Sequence, residues 1–316
     1  MNEKIRVYAV VGPTASGKSA LALELAQRYG GEIVSCDSMQ VYRRMDIGTA
    51  KPNAEERGTV RHHLVDVAEP CEQFSCADYV RLADAAVRDI HARGNLPIIC
   101  GGTGLYLDAL LRGEDFQPST TDLDLRAELL EFARQSGAEA LHEELRRIDP
   151  QSAEEIHPNN VKRVARAIEI YRTCGETKSE LDRRSRQSGE RFDVRCVGLA
   201  YSNRQALYER IEKRVDAMIS DGLESETRSL LAEGVFKCNA TAAQAIGYKE
   251  LLGYIGGEET LAEAVEKLKT ATRRYAKRQM TWFSGKEYVQ WIDVYEGENK
   301  KMFEDIVNNA SKLFFC

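Results

Sequence analysis

The sequence predicts an α/β protein: a P-loop NTPase-like parallel sheet with flanking helices, interrupted by an all-helical insertion domain. Three observations carry this. Strand-like and helix-like runs alternate over the first 111 residues or so. The loop after the first strand has a phosphate-binding pattern. Strand signal then disappears from about residue 116 to 190 and returns at residues 194–199.

Residues 5–11 (IRVYAVV) form a short apolar, β-branched run ending at a glycine, the pattern of a buried parallel strand. Residues 20–29 (ALALELAQRY) have helical composition, and Gly30-Gly31 stops that helix. Residues 32–36 (EIVSC) read as the next strand, with Asp37 just past its end, and residues 63–67 as a further short one. An amphipathic helix is predicted over 77–92, and a strand over 96–100 (LPIIC). Gly101-Gly102-Thr103-Gly104 and a helix over 105–111 follow. From Phe116-Gln117-Pro118 to about Arg186 the chain reads as helical and rich in charge. Residues 194–199 (VRCVGL) restore a strand, 203–286 are helical again, and 289–292 suggest a last strand. The domain reading is therefore an α/β core with C-terminal helices over 1–115 and 191–316, and a helical insertion over 116–190.

Composition narrows the classes of function. The chain has 316 residues, 43% apolar and 30% charged, ordinary for a globular protein. No apolar run approaches the ~18–20 residues that a membrane span needs, and the N-terminus shows no secretory leader, so the expected location is the cytoplasm, without a membrane partner. The eight cysteines include no CxxC pair, and the reading is reduced, mostly buried thiols without a zinc site. A net charge of −6 argues against indiscriminate nucleic-acid binding, yet basic residues are concentrated locally. Between Lys162 and Arg186 eight basic residues outweigh four acidic ones. Between Lys267 and Lys286 there are seven basic residues and no acidic one, with Tyr275, Trp282 and Phe283 interleaved. Such a mixture suits phosphate backbone and unstacked bases; a solvated helix face is the alternative.

Gly12-Pro13-Thr14-Ala15-Ser16-Gly17-Lys18-Ser19 matches G-x-x-x-x-G-K-[ST] between a strand and a helix. In that setting backbone N–H groups and the helix dipole cradle phosphate, Lys18 adds a point charge, and the Ser19 hydroxyl is a candidate Mg²⁺ ligand. By motif alone the ligand is a nucleotide such as ATP. Asp37, at the carboxyl end of a strand, can be a general base, a metal contact or a helix cap. Thr103 projects to the same edge of the sheet, as ligand contact or as helix cap. Arg210 and Arg214, one helical turn apart, can reach a phosphate or pair with nearby glutamates.

These residues resemble one family throughout. Cys36-Asp37-Ser38-Met39-Gln40-Val41-Tyr42, Met45-Asp46-Ile47-Gly48-Thr49-Ala50-Lys51-Pro52 and His62-His63-Leu64 are similar to motifs of the tRNA dimethylallyltransferases. So are Gly101-Gly102-Thr103-Gly104-Leu105-Tyr106, His157-Pro158-Asn159-Asn160, Ala245-Ile246-Gly247-Tyr248 and Lys277-Arg278-Gln279-Met280-Thr281-Trp282-Phe283, in the family's order. Only the tail beyond about residue 293 lacks such a motif.

The resemblance implies transfer of a dimethylallyl group from dimethylallyl pyrophosphate to the exocyclic amine of the adenine 3′ of the anticodon, tRNA position 37, with release of pyrophosphate. It implies that Asp37 is the base, that Thr103 contacts the bridging oxygen of the donor, and that Lys18, the P-loop backbone and Arg214 hold the pyrophosphate with Mg²⁺. It further implies tRNA contacts from Asp37-Ser38-Met39-Gln40, Lys162-Arg163-Val164-Ala165-Arg166, Gln244-Ala245-Ile246-Gly247-Tyr248-Lys249 and Lys277-Arg278-Gln279-Met280-Thr281-Trp282-Phe283-Ser284. The insertion would grip the anticodon stem-loop, and the enzyme would act as a monomer. Two departures stand out: the zinc-finger spacing of some eukaryotic members is absent, and Cys36 precedes Asp37 where several relatives have valine or alanine. The competing readings are a P-loop kinase or NTPase, a prenyltransferase acting on free adenine nucleotides, and a non-enzymatic RNA-binding module.

Overall fold

The computed structural model describes residues 4–113, 122–187, 191–294 and 300–315. The chain divides into two compact units, Met1–Leu111 with Phe192–Cys316, and Arg112–Arg191. The expected insertion boundaries at 116 and 190 lie outside the described residues.

The first unit is built on a six-stranded parallel sheet: β1 (Arg6–Val11), β2 (Gly31–Cys36), β3 (His62–His63), β4 (Leu96–Gly101), β5 (Asp193–Ala200) and β6 (Val289–Asp293), in the order β3-β2-β4-β1-β5-β6. Both faces are covered, which is why the strands read as continuous apolar runs. On one face Val7, Ala9 and Val11 meet Tyr79, Val80, Ala83 and Val87 of the helix Cys76–Ala92, and Leu107 and Leu110 of the helix Gly104–Arg112. On the other, Tyr8 and Val10 meet Leu21, Ala22 and Leu25 of the helix Lys18–Tyr29, and Val307, Ala310 and Phe314 of the helix Lys300–Phe315. That last helix carries no motif, yet it packs on one face of the sheet.

Register levels the strand ends that matter. Gly101 of β4 lies opposite Val11 of β1 on one side and Cys36 of β2 on the other. The segments that leave these strands, namely the P-loop, Asp37 and the Gly102–Thr103 turn, therefore share one edge of the sheet, where ligands of open α/β sheets bind.

Local differences from the sequence reading have physical causes. The strand expected over 63–67 is reduced to the two residues of β3. Leu64 and Asp66 adopt positive φ, and Asp66 turns to Lys51 and Arg57 at 2.6 and 2.7 Å. The helix expected from residue 77 starts at Cys76, because Ser75 and Asp78 form a reciprocal capping box. The expectation of reduced thiols fails for one pair: Cys71 and Cys238, 167 residues apart, form a disulfide. Asn239 stitches the same place, donating from its side-chain amide to the carbonyls of Pro70 and Glu72.

The second unit contains the helices Leu123–Ser136, Ala138–Ile148, Pro150–Glu155, Val161–Cys174 and Lys178–Gln187. Leu129, Leu141, Leu145, Val164, Ala165 and Ile168 form its core. Fully buried Glu169 is matched by Arg126 at 2.7 Å and Arg166 at 2.6 Å, an arrangement that avoids an uncompensated buried charge.

Candidate active site at the carboxyl edge of the sheet

The P-loop is tied off from behind. Its carbonyls are engaged: Pro13 accepts the Ser16 N–H within the loop, Ala15 accepts Arg210 Nε at 3.0 Å, and Ser16 accepts the Tyr201 hydroxyl at 3.2 Å. The helix that follows begins at Lys18 with no capping side chain and no acidic residue in its first turn. By contrast, the helices starting at Ala54, Cys76 and Leu261 each carry a capping box. An uncapped helix start leaves its first N–H groups and its dipole for an anion. Lys18 Nζ rests on the Pro13 carbonyl at 3.3 Å. Burial lowers its pKa, as it does that of Arg214, which also feels Arg210. Two cations held partly desolvated favour an anionic partner. Arg214 donates to the Thr14 hydroxyl at 3.3 Å, while Glu212, a possible competitor for it, pairs with Arg273.

Asp37 folds back on its own loop: Oδ1 accepts the N–H groups of Met39 (2.9 Å) and Gln40 (3.4 Å). The carboxylate is thereby fixed in orientation, with its other oxygen outside this turn. Thr103 Oγ1 accepts the Ser38 N–H at 3.1 Å, and the Thr103 N–H donates to the Cys36 carbonyl. A hydroxyl that accepts in this way keeps its proton to donate.

Asp37 stands between two hollows. One, of 260 Å³, is lined by Lys18, Ser19, Gln40, His62, Gly101 and Arg214. The other, of 490 Å³, is walled by Met39, Val215, Met218, Gln244, Ala245, Ile246, Gly247, Tyr275 and Arg278. Thr14, Asp37 and Arg214 border both.

The structure thus brings Asp37, Thr103, Arg214 and the P-loop together. It sorts the expected tRNA contacts. Val164 and Ala165 lie in the helical core, and Arg166 is tied to Glu169, whereas Lys162 and Arg163 are exposed. Ala245, Gly247 and Tyr248 are buried, and the Tyr248 hydroxyl bonds Glu226. Gln244 and Lys249 are exposed. In the long helix Leu261–Ser284, Gln279 and Phe283 point inward, whereas Lys277, Arg278, Thr281, Trp282 and Ser284 are exposed. The seven-charge patch is smaller than its sequence count. Lys267, Lys269, Arg273 and Lys286 are paired with Glu259, Asp216, Glu212 and Asp108. Arg274, Lys277 and Arg278 carry no ion pair among the described residues.

Two residues differ from the part the sequence reading assigns them: Tyr275 stands there only as an aromatic of the basic tract, and Gln279 as an expected tRNA contact, whereas its side chain is buried. Tyr275 lies against the Thr103 hydroxyl and close to Asp37, and its phenol is pushed up by burial and by that carboxylate. Buried Gln279 touches both the P-loop and the Gly102 turn. Helical spacing, which sets 272, 275, 279 and 283 on one face, is the signal for this inward side.

A phosphate cradle at a sheet edge, with a fixed carboxylate beside it and a second hollow beyond, defines a P-loop α/β protein arranged for group transfer rather than for phosphate binding alone. The sequence model of a family described as IPP transferase matches residues 40–286. The tRNA dimethylallyltransferase of Geobacillus thermodenitrificans is 50% identical over 298 residues, 94% of this chain and 93% of that protein. That of Caldanaerobacter subterraneus subsp. tengcongensis is 44% identical over 98% of this chain and 99% of its own length. The crystal structure of the tRNA isopentenylpyrophosphate transferase of Bacillus halodurans superposes with a TM-score of 0.72 at 43% identity, covering 98% and 97% of the two chains. A eukaryotic dimethylallyltransferase described as acting on tRNA gives 0.78 at 29% identity, over 96% of this chain and 80% of that one. The chain belongs to the IPP transferase family, the tRNA dimethylallyltransferases.

Proposed function

We infer that this enzyme transfers the dimethylallyl group of dimethylallyl pyrophosphate to the exocyclic amine of adenine 37 of tRNA. The observation that carries the reading is Asp37, fixed between the P-loop hollow and the apolar-walled hollow. The amine nitrogen bonds the allylic carbon, the carbon–oxygen bond of the donor breaks, pyrophosphate leaves, and the amine proton passes to the Asp37 carboxylate. The Thr103 proton meets the departing oxygen. Lys18, Arg214 and the P-loop N–H groups take up the charge that grows on pyrophosphate. The adenine must leave its stack to reach the larger hollow, at a cost of a few kcal/mol.

Mg²⁺ fits as a companion of the pyrophosphate. Ser19 and Asp37 offer hard oxygen donors on the same hollow. No group of three or more His, Cys, Asp or Glu converges among the described residues. Mg²⁺ keeps several waters and takes phosphate oxygens, so Ser19 with the substrate would hold it; there it would neutralise leaving-group charge. In the helical unit Lys162 and Arg163 would meet the anticodon stem-loop. We take the enzyme to act as a monomer. No helix among the described residues is long and apolar enough to cross a membrane. We place the enzyme in the cytoplasm with its tRNA.

Incubation with dimethylallyl pyrophosphate, Mg²⁺ and unmodified tRNA tests the reading. Label enters tRNAs with adenine at position 37. Label entering AMP but no tRNA, or phosphoryl transfer from ATP with no prenyl transfer, overturns it.

A further inference from the structure

Gln279 is buried, at 5% exposure, on the inward face of the helix Leu261–Ser284. Its carboxamide uses both ends. The oxygen accepts the Thr14 N–H of the P-loop at 2.8 Å, and the nitrogen donates to the Gly102 carbonyl at 3.1 Å. These partners lie 265 and 177 residues away in sequence. The site is shaped around this side chain: a Cβ on Gly102 would stand 1.9 Å from its nitrogen. A carboxamide offers a donor and an acceptor side by side at any pH; an ionised carboxylate only accepts, and a hydrocarbon does neither.

The two anchors carry different halves of the donor site. Thr14 opens the pyrophosphate cradle, and its hydroxyl also receives Arg214. Gly102 precedes Thr103. One turn before Gln279 on the same helix, Tyr275 faces Thr103 and Asp37, and the neighbouring residues Lys277 and Arg278 are exposed.

We propose that Gln279 is a positioning residue for prenyl transfer: its buried amide holds the P-loop and the Thr103 turn in one alignment, and fastens both to the helix that presents Lys277 and Arg278. This rests on the prenyl-transfer reading above. With the bridge broken, the cradle and the Thr103 hydroxyl no longer aim at the same donor molecule, although each still forms.

The test uses the full chain. Wild-type turnover is measured first, so that its absence condemns the underlying reading and not this one. Gln279→Leu keeps the bulk and removes both hydrogen bonds. Its single-turnover rate is expected to fall by about 10²-fold, the effect of an ~1 Å misplacement, while affinity for an anticodon stem-loop stays within threefold. Gln279→Glu adds a readout that a merely structural role would not move. Its neutral form can rebuild both bonds and its ionised form cannot, so its activity relative to wild type rises as pH falls, whereas that of Gln279→Leu stays flat. If Gln279→Leu fails to fold, the pH profile of Gln279→Glu decides alone. Turnover of Gln279→Leu within threefold of wild type, equal losses of stem-loop affinity and rate, or a flat relative profile for Gln279→Glu overturns the proposal.

Discussion

Replacing Gly101 by alanine tests whether the alignment of strand ends governs the chemistry. Gly101 ends β4 opposite Cys36, one residue before Asp37. An added Cβ would stand 2.1 Å from the Cys36 carbonyl oxygen and 2.4 Å from its carbon. Both are backbone atoms, so no side chain can turn away. Restoring an ordinary 3.4 Å contact requires a movement of about 1.3 Å. The carbonyl that must move is the one that receives the Thr103 N–H, and Asp37 follows directly on the same chain. Overpacking of this kind costs ~1–3 kcal/mol of stability, and an ~1 Å misplacement of reacting groups costs ~10² in rate. The assay is single-turnover transfer of labelled dimethylallyl to an anticodon stem-loop, beside a thermal melt. The expected result is a melt lowered by several degrees and a rate lowered by about 10²-fold at a temperature where the variant is fully folded. Gly58→Ala is the control: it lies in a helix with open space around the added Cβ, and both readouts stay near wild type. A folded Gly101→Ala variant that turns over within threefold of wild type would refute the reasoning.

Further predictions follow from other parts of the site. Asp37→Asn preserves the turn to Met39 and Gln40 but cannot take a proton; turnover falls by about 10²–10⁴-fold while stem-loop affinity, measured by titration, changes little. Lys277→Ala, lacking an ion pair to lose, lowers the slope of log affinity against log salt by about one contact. Lys286→Ala leaves that slope unchanged but removes the cation from buried Asp108, which keeps the Tyr288 hydroxyl, and lowers stability in denaturant titrations by about 1.5–3 kcal/mol. Glu32 is held at a pKa of about 2 by Arg93, with help from His63 and Asn95. Its folded value is below its unfolded one, so its stabilising contribution is present above about 4.5 and is lost as pH falls toward 2. Glu32→Gln therefore destabilises at neutral pH and flattens the acid limb of the unfolding curve.

What could be read from the sequence was what lies close together in it. The P-loop is eight consecutive residues. Asp37 and Thr103 each follow a strand directly, so the alternation of strands and helices places both at one edge. Glu169 and Arg166 illustrate the limit: counted as part of a basic tract, they are an internal pair. Lys269, Arg273 and Lys286 likewise have their charge offset by Asp216, Glu212 and Asp108, 53 to 178 residues away. The roles of Tyr275 and Gln279 were hidden for the same reason, because their partners come from the P-loop and from the segments that follow β2 and β4. The helix Lys300–Phe315 completes the core with generic apolar residues, which carry no signature of their partner face.

The Cys71–Cys238 bond turns residues 71–238 into a covalent ring with two tails. The N-terminal tail carries the P-loop and Asp37; the C-terminal tail carries Tyr275, Gln279 and the exposed Lys277 and Arg278. The helical unit lies wholly inside the ring. A protease that cuts once anywhere in the ring opens a circle instead of severing the molecule, and the two tails remain one covalent object until a reductant releases them. The donor cradle and the helix fastened to it thus share a tether whose integrity does not depend on the peptide chain between them.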